Sequence, residues 1–146
     1  MNSFERVIEV RWSDVDQNGH VRHSAYYDYG ADVRIAFFRA AGFPNTRMTA
    51  MNIGPILFKE ECAFLREIRP DDRIRVNLQK GQINEDGSRW SLHHELFNQD
   101  DKKVAHISIT GAWLDLAMRK LSTPPSDLAA AMYELPQGEA FVYKKG

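Results

Sequence analysis

The order of patterns along the chain predicts an α+β fold, a five-stranded antiparallel sheet wrapped around one long helix. Three observations carry the prediction: an alternating segment near the start, an amphipathic stretch of nearly five helical turns, and four consecutive strand patterns separated by turn-forming residues. An antiparallel sheet has one apolar face, and a single long helix can cover it.

In residues 6–12, Ile8, Val10 and Trp12 share one face while Val7, Glu9 and Arg11 share the other, which predicts a strand with one buried side. Residues 13–24 are polar and contain the turn-forming pair Asn18–Gly19, so they read as a connecting or functional loop. Over 25–41 the period changes: Tyr26, Tyr29, Val33, Phe37 and Ala40 recur at spacings of three and four. Ser24 is the expected N-cap of this helix, and Gly42 with Pro44 ends it. Gly30 inside it costs about 1 kcal/mol relative to Ala, and is either a tolerated defect or a point of close packing. After a loop through Asn52, strands are expected at 55–68, 73–83, 89–97 and 103–116, with turns at 85–88 and 98–102. Pro124–Pro125 then introduces a short helix at 126–133. The expected organisation is one domain over 1–146, with a core at about 5–133 and a short C-terminal tail.

With 43% apolar and 27% charged residues, and 8 Phe, 3 Trp and 5 Tyr, the 146-residue chain fits a globular domain and not a disordered one. Nineteen Lys and Arg against twenty Asp and Glu leave −1, which gives no global attraction to nucleic acid or an anionic membrane. The single cysteine, Cys62, has no intramolecular partner for a disulfide or a zinc motif and is compatible with a reducing cytoplasm. Glu5, Arg6 and Glu9 interrupt the apolar run a signal peptide would need, and no stretch approaches the ~20 residues of a membrane span. A soluble cytoplasmic protein is expected.

The five histidines do not fall at metal-ligand spacing: His20 and His23 precede the helix, adjacent His93 and His94 point to opposite faces of a strand, and His106 stands alone. Gly-x-Ser-x-Gly, the Walker loop and Gly-x-Gly-x-x-Gly are all absent. The stretch from Arg11 to His20 remains, acidic and glycine-containing, between a strand and the start of a helix. It is either an ordinary loop with Asx-turns or a carboxylate held beside helix N–H groups that can polarise a carbonyl. Arg66, Arg69, Arg73 and Arg75 form a basic cluster, either a solvated strand face or a small anion-binding patch suited to coenzyme phosphates.

Val10-Arg11-Trp12-Ser13-Asp14-Val15-Asp16 followed by Gly19-His20-Val21, then Ser24-Ala25-Tyr26-Tyr27-Asp28-Tyr29, resembles the first strand, catalytic loop and central helix of the hotdog-fold acyl-CoA thioesterases of the 4-hydroxybenzoyl-CoA thioesterase type. The segment from Phe64 to Asp72 and the positions Trp113 to Asp115, Arg119 and Pro124 extend the likeness over about 5–133. The resemblance implies hydrolysis of an acyl-CoA to free acid and coenzyme A by a homodimer or homotetramer with no metal, and no cofactor beyond the coenzyme A of the substrate. It implies Asp16 as nucleophile or general base, Gly19 as the loop-turning glycine and the His23 backbone N–H as the group polarising the carbonyl. Asp14, His20, Tyr26 and Asp32 are candidate supporting residues, and Arg66 and Arg69 are candidates for the coenzyme phosphates. Arg22 and His23 stand where many relatives carry two asparagines. A non-catalytic acyl-thioester-binding module and a thioesterase acting on acyl carrier protein are the alternatives.

Overall fold

The computed structural model describes residues 3–143, so Met1, Asn2 and 144–146 of the expected domain span lie outside the described residues. The elements in chain order are β1 (Phe4–Glu9), α1 (His23–Ala40), α2 (Asn45–Ala50), β2 (Ile53–Phe64), β3 (Arg73–Ile83), β4 (Arg89–Phe97), β5 (Lys103–Asp115), β6 (Lys120–Leu121) and α3 (Ser126–Tyr133). All the β1–β5 pairings are antiparallel, in the order β1-β3-β4-β5-β2, and the two-residue β6 pairs with β5.

Register follows the apolar alternation. Leu92 faces Ile109, His94 faces Ile107 and Leu96 faces Ala105, and these pairs lie on the side of the sheet that carries the core. The α1 face formed by Ala25, Tyr26, Tyr29, Val33, Phe37 and Phe38 is buried with them. Each large apolar side chain so buried stabilises the fold by roughly 1.5–3 kcal/mol. On the opposite face His93 pairs with Ser108 and Glu95 with His106, and residues 137–138 are tied across this face by hydrogen bonds to Lys80. His93 and His94 therefore do point to opposite sides.

Helix α1 starts one residue before the expected cap. Arg22 is the N-cap, with no side-chain cap, and Ser24 lies inside the first turn, where its hydroxyl accepts a hydrogen bond from the Arg22 guanidinium at 2.5 Å. The other end closes as expected: Gly42 has φ +91°, its N–H bonds Arg39 O at 3.0 Å and the Phe43 N–H bonds Phe38 O at 2.8 Å.

Three differences from the sequence reading matter for the site. First, β1 ends at Glu9, and Trp12–Asp14 form a 3-10 turn that leaves Trp12 92% exposed instead of buried beside Ile8. The cause is Asp14, whose carboxylate accepts the Arg11 backbone N–H at 3.1 Å and draws the chain out of its extended course. Second, the expected loop before Asn52 contains α2, too short to show a period but packed onto β2 and burying Met48. Third, β2 begins at Ile53 and stops at Phe64, with a bulge between Leu57 and Lys59.

Candidate functional site

The loop between β1 and α1 is a small hairpin. Val15 and Val21 form an antiparallel bridge, the Asp16 N–H bonds His20 O at 2.8 Å, and the Arg22 N–H bonds Asp14 O at 2.8 Å. Gly19, at φ +78°, turns the chain at the tip, and a β-carbon there would meet nothing within 4 Å, so the conformation and not crowding requires glycine. The hairpin is docked on the body by the Val21 N–H to Ile68 O, 2.9 Å.

The two acids of the loop have opposite surroundings. Asp14 is fully buried: it accepts from Arg11 N–H and guanidinium and from the Tyr29 hydroxyl at 2.9 Å, with Arg22 at 3.8 Å. Burial pushes its pKa up, but the Arg11 and Tyr29 hydrogen bonds outweigh burial and hold it below the ordinary carboxylate value. The same desolvation and the Asp14 charge push the Tyr29 hydroxyl well above its usual value. Asp14 is thus the anchor that joins the loop to α1. Asp16 is exposed; its Oδ1 accepts the Asn18 and His20 N–H groups at 2.9 and 3.3 Å, and its Oδ2 has no partner among the described residues. Asp16 opens onto a cavity of about 660 Å³ that it shares with Arg11, Trp12, Gln17 and Pro70.

His23 is the first residue of α1, and neither its N–H nor that of Ser24 has an acceptor among the described residues. An uncapped helix start of this kind offers donors and partial positive charge. The His23 ring is exposed and stacks on Phe64, centroids 4.2 Å apart. His20 packs its Nε2 3.1 Å from Glu67.

Of the remaining expected residues, Tyr26 packs its ring edge-on against His23 and Phe64, while Asp32, Arg66 and Arg69 make their contacts elsewhere. The Tyr26 hydroxyl donates to Arg66 O and accepts from the Ile68 N–H, so it is fully used in stitching α1 to the segment after β2. Asp32 pairs with Arg6 of β1 at 2.8 Å. Arg66 and Arg69 line a separate cavity of about 490 Å³ with Lys102, but Glu67, Asp72 and Asp100 line it too. Arg73 and Arg75 are matched by Glu9, Glu5 and Asp101. Among the described residues no group of three or more His, Cys, Asp or Glu is arranged to hold a metal ion, and no helix is long and apolar enough to cross a membrane.

Sequence reasoning missed a buried polar chain and the cavity next to it. His94 is fully buried; its Nδ1 lies 2.8 Å from Asn77 O and its Nε2 2.9 Å from the Arg34 guanidinium. The carbonyl can only accept, so Nδ1 carries the proton and Nε2 accepts from Arg34. Burial, with the Arg34 charge adding to it, holds the ring neutral by lowering its pKa to about 3. Arg34 also faces Glu60 at 3.7 Å. A β-carbon on Gly30 would lie 3.1 Å from the His94 ring, which settles the role of that glycine as close packing. Beside Arg34, between α1, α2 and the start of β2, is a cavity of about 260 Å³ with largely apolar walls that include Ile35, Phe38, Met48 and Leu57. The signal that was available was the glycine itself, four residues before an arginine on the apolar helix face.

Comparison with known proteins identifies the family and the fold of the chain. The signature described as the thioesterase-like superfamily matches residues 10–132. A putative esterase of Aquifex aeolicus (strain VF5) is 29% identical over 75 residues, 51% of this chain and 59% of that one. The chain spans 59% of the length of each of the first two curated relatives it matches. A hypothetical protein from Staphylococcus aureus, solved in complex with CoA, superposes with a TM-score of 0.87 at 16% identity, covering 99% of this chain and 95% of that one. A 1,4-dihydroxy-2-naphthoyl-CoA thioesterase from Synechocystis gives 0.82 at 17% identity, with coverages of 92% and 98%. At such identities the likeness establishes the fold, the helix-wrapping sheet of the hotdog proteins.

Proposed function

Because the chain belongs to the thioesterase-like superfamily, we propose that it is an acyl-CoA thioesterase, releasing a free acid and coenzyme A. The observation that carries this reading is Asp16: one carboxylate oxygen holds the hairpin and the other is free, on a loop that runs directly into the uncapped start of α1. Hydrolysis of a thioester needs an activated oxygen and a donor for the charge that develops on the carbonyl. Asp16 Oδ2 supplies the first, either by attacking the thioester carbon and forming an anhydride that water opens, or by taking a proton from attacking water. The His23 N–H, strengthened by the α1 dipole, supplies the second. Asp14 acts on neither reacting atom; it fixes the hairpin to Tyr29. No step requires a metal.

The assembly we propose is a homodimer, or a homotetramer built from it, paired along β2. That strand is an edge of the sheet, twelve residues long, with Leu57, Phe58 and Phe64 exposed, and an edge of that length and apolarity is a surface for another strand. The coenzyme phosphates are assigned to Arg66 and Arg69, supported by the cavity they share with Lys102. The lone thiol of Cys62 suits a cytoplasmic setting.

The test is thiol release from a panel of acyl-CoAs by wild type and Asp16→Asn. Turnover is expected to fall by roughly 10²-fold or more in the variant, with acyl-CoA still bound. Equal turnover in both proteins removes Asp16 from the mechanism. Binding without release by the wild type makes the protein an acyl-thioester-binding module, and release only from acyl carrier protein moves the substrate to that carrier.

A further inference from the structure

We propose that residues 139–143 form an acid-released strap, closed over the outer face of the sheet while His106 is neutral and detached once His106 gains a proton. The outer face is the side turned away from α1, and the inference is independent of the thioesterase reading.

The strap and its root are held in different ways. The root is held by main-chain groups: the Lys80 N–H donates to Pro136 O at 2.9 Å, and the Gly138 N–H donates to Lys80 O at 2.8 Å. Gln137 forms a parallel bridge with Lys80, and its side-chain amide donates to Lys80 O and Gly81 O at 3.2 and 3.1 Å. The root thus continues the edge of β3 just past Leu78, the partner of the first residue of β1. A β-carbon on Gly138 would stand 2.7 Å from Gln79 Cβ, so glycine is what lets the chain pass this closely. Beyond Gly138 the strap rests on rings. Phe141 lies on His106 with centroids 5.9 Å apart, Lys103 Nζ is 5.8 Å from the Phe141 centroid, and Tyr143 meets Phe141 edge-on at 4.7 Å.

His106 is the group these contacts share. It pairs with Glu95 on the outer face and is 5% exposed, with the strap lying over it. The Lys103 ammonium, 3.0 Å from His106 Nδ1, can only donate, so Nδ1 accepts and the proton of the neutral ring sits on Nε2. Nε2 is buried without a partner in hydrogen-bond geometry, and the Glu139 main chain faces it from the strap. A second proton must therefore go to Nδ1, against the N–H donors of a cation. The contact that holds the neutral ring repels the charged one, and Phe141 rests on both partners.

The other charges around the ring do not cancel this. Glu95 on β4 favours the charged ring, but its carboxylate already accepts from Asn77 and Gln79 of β3 and from Lys103 of β5. His93 on β4, with ring centroids 5.7 Å apart, opposes a further charge. Lys59 and Glu61 of β2 line the adjoining cavity and pair with each other, and Glu139 lines it from the strap side. Burial first, then Lys103, lower the His106 pKa to about 4, which sets opening at about pH 5–4. Linkage makes the effect mutual: a cover that disfavours the proton is loosened by the proton to the same degree.

The experiment follows the full chain by NMR from pH 7 to 4. It reads the His106 ring titration, the Phe141–His106 ring contact, the Gly138 amide and the α1 amides. The ring contact is expected to vanish with the midpoint of the His106 titration, while the Gly138 and α1 signals stay in place. His106→Gln still accepts from Lys103 but does not titrate, so its strap should remain closed at pH 4. Phe141→Ala strips the cover and should raise the His106 midpoint by about one pH unit, a tenfold change in proton affinity. A ring contact that survives in the wild type after His106 has titrated overturns the inference. Its loss in His106→Gln at the same pH as in the wild type does so too, since another group would then drive release. Simultaneous loss of the Gly138 and α1 signals is global acid unfolding and equally refutes a local strap. An unmoved midpoint in Phe141→Ala refutes it even where His106→Gln fails to fold.

Discussion

Gly30→Ala sets two effects of opposite sign against each other in one methyl group. In a helix interior alanine is favoured over glycine by about 1 kcal/mol, so on propensity the substitution stabilises α1. The new β-carbon, however, would stand 3.1 Å from His94 Cδ2, 3.3 Å from the Arg34 guanidinium and 3.4 Å from His94 Nε2, where ordinary carbon contacts lie at about 3.5–4.0 Å. The ring cannot easily yield: it is 0% exposed and held at both nitrogens, by Asn77 O and by Arg34. Overpacking of this kind costs about 1–3 kcal/mol. With a central value of ~2 kcal/mol against a gain of ~1, the variant should be less stable by about 1 kcal/mol, or roughly 2–4 °C in melting temperature for a chain of this size. Urea denaturation with an unchanged m-value would measure it. A variant more stable than wild type by about 1 kcal/mol would refute the argument, and would mean that the His94–Arg34 contact is loose enough to move aside.

Three further outcomes follow from the buried titratable groups. Tyr29→Phe removes a hydrogen bond to the buried Asp14 carboxylate and should cost about 1.5–3 kcal/mol at pH 7. Asp14 has a lowered folded-state pKa, so its contribution is present above the unfolded value of 3.8 and lost as pH falls through the folded one; chemical denaturation at pH 7 and pH 3 should show the variant penalty shrinking in acid. His106 is held neutral by burial, then by Lys103, with its pKa lowered to about 4. The unfolded chain therefore takes up a proton first as pH falls below 6.5, and His106 should contribute ~3 kcal/mol, at ~1.4 kcal/mol per pH unit, to a loss of stability between pH 6.5 and 4 that the buried, neutral His94 deepens. His106→Gln should make that part of the stability–pH curve shallower by the His106 share, and an unchanged curve would show that the ring is not buried in solution. Burial, with help from Glu60, pushes the Cys62 thiol up to about 12, so at neutral pH it should react with a disulfide reagent at an appreciable rate only after unfolding.

The sheet and α1 were legible because their periods survive folding: Leu92, His94 and Leu96 turn inward and His93 outward as alternation requires, and Tyr26, Tyr29, Val33 and Phe37 line one helix face. The end of β1 was not legible. Residues 6–12 alternate as a strand does, and only the hydrogen bonds that Asp14 makes to Arg11 and Tyr29 reveal why the alternation stops having meaning at Glu9. The same acid was grouped with Asp16 in sequence, since nothing local distinguishes a buried anchor from a carboxylate with a free oxygen. α2 escaped because six residues hold too little periodicity, and the cavity escaped because its walls come from residues 31–57 and from Trp90, which only tertiary packing assembles.

The separation of these two residue sets bears on how such a protein can change over time. The atoms assigned to bond breaking sit on residues 16–23, held by Asp14, Tyr29 and Ile68. The walls of the cavity beside Arg34 are contributed by α1 from Ala31 onward, Phe43, α2, β2 and β4. The two lists share no residue. Substitutions in the walls of that cavity can therefore accumulate without touching the hairpin of residues 16–23, so the two regions are free to vary independently of each other.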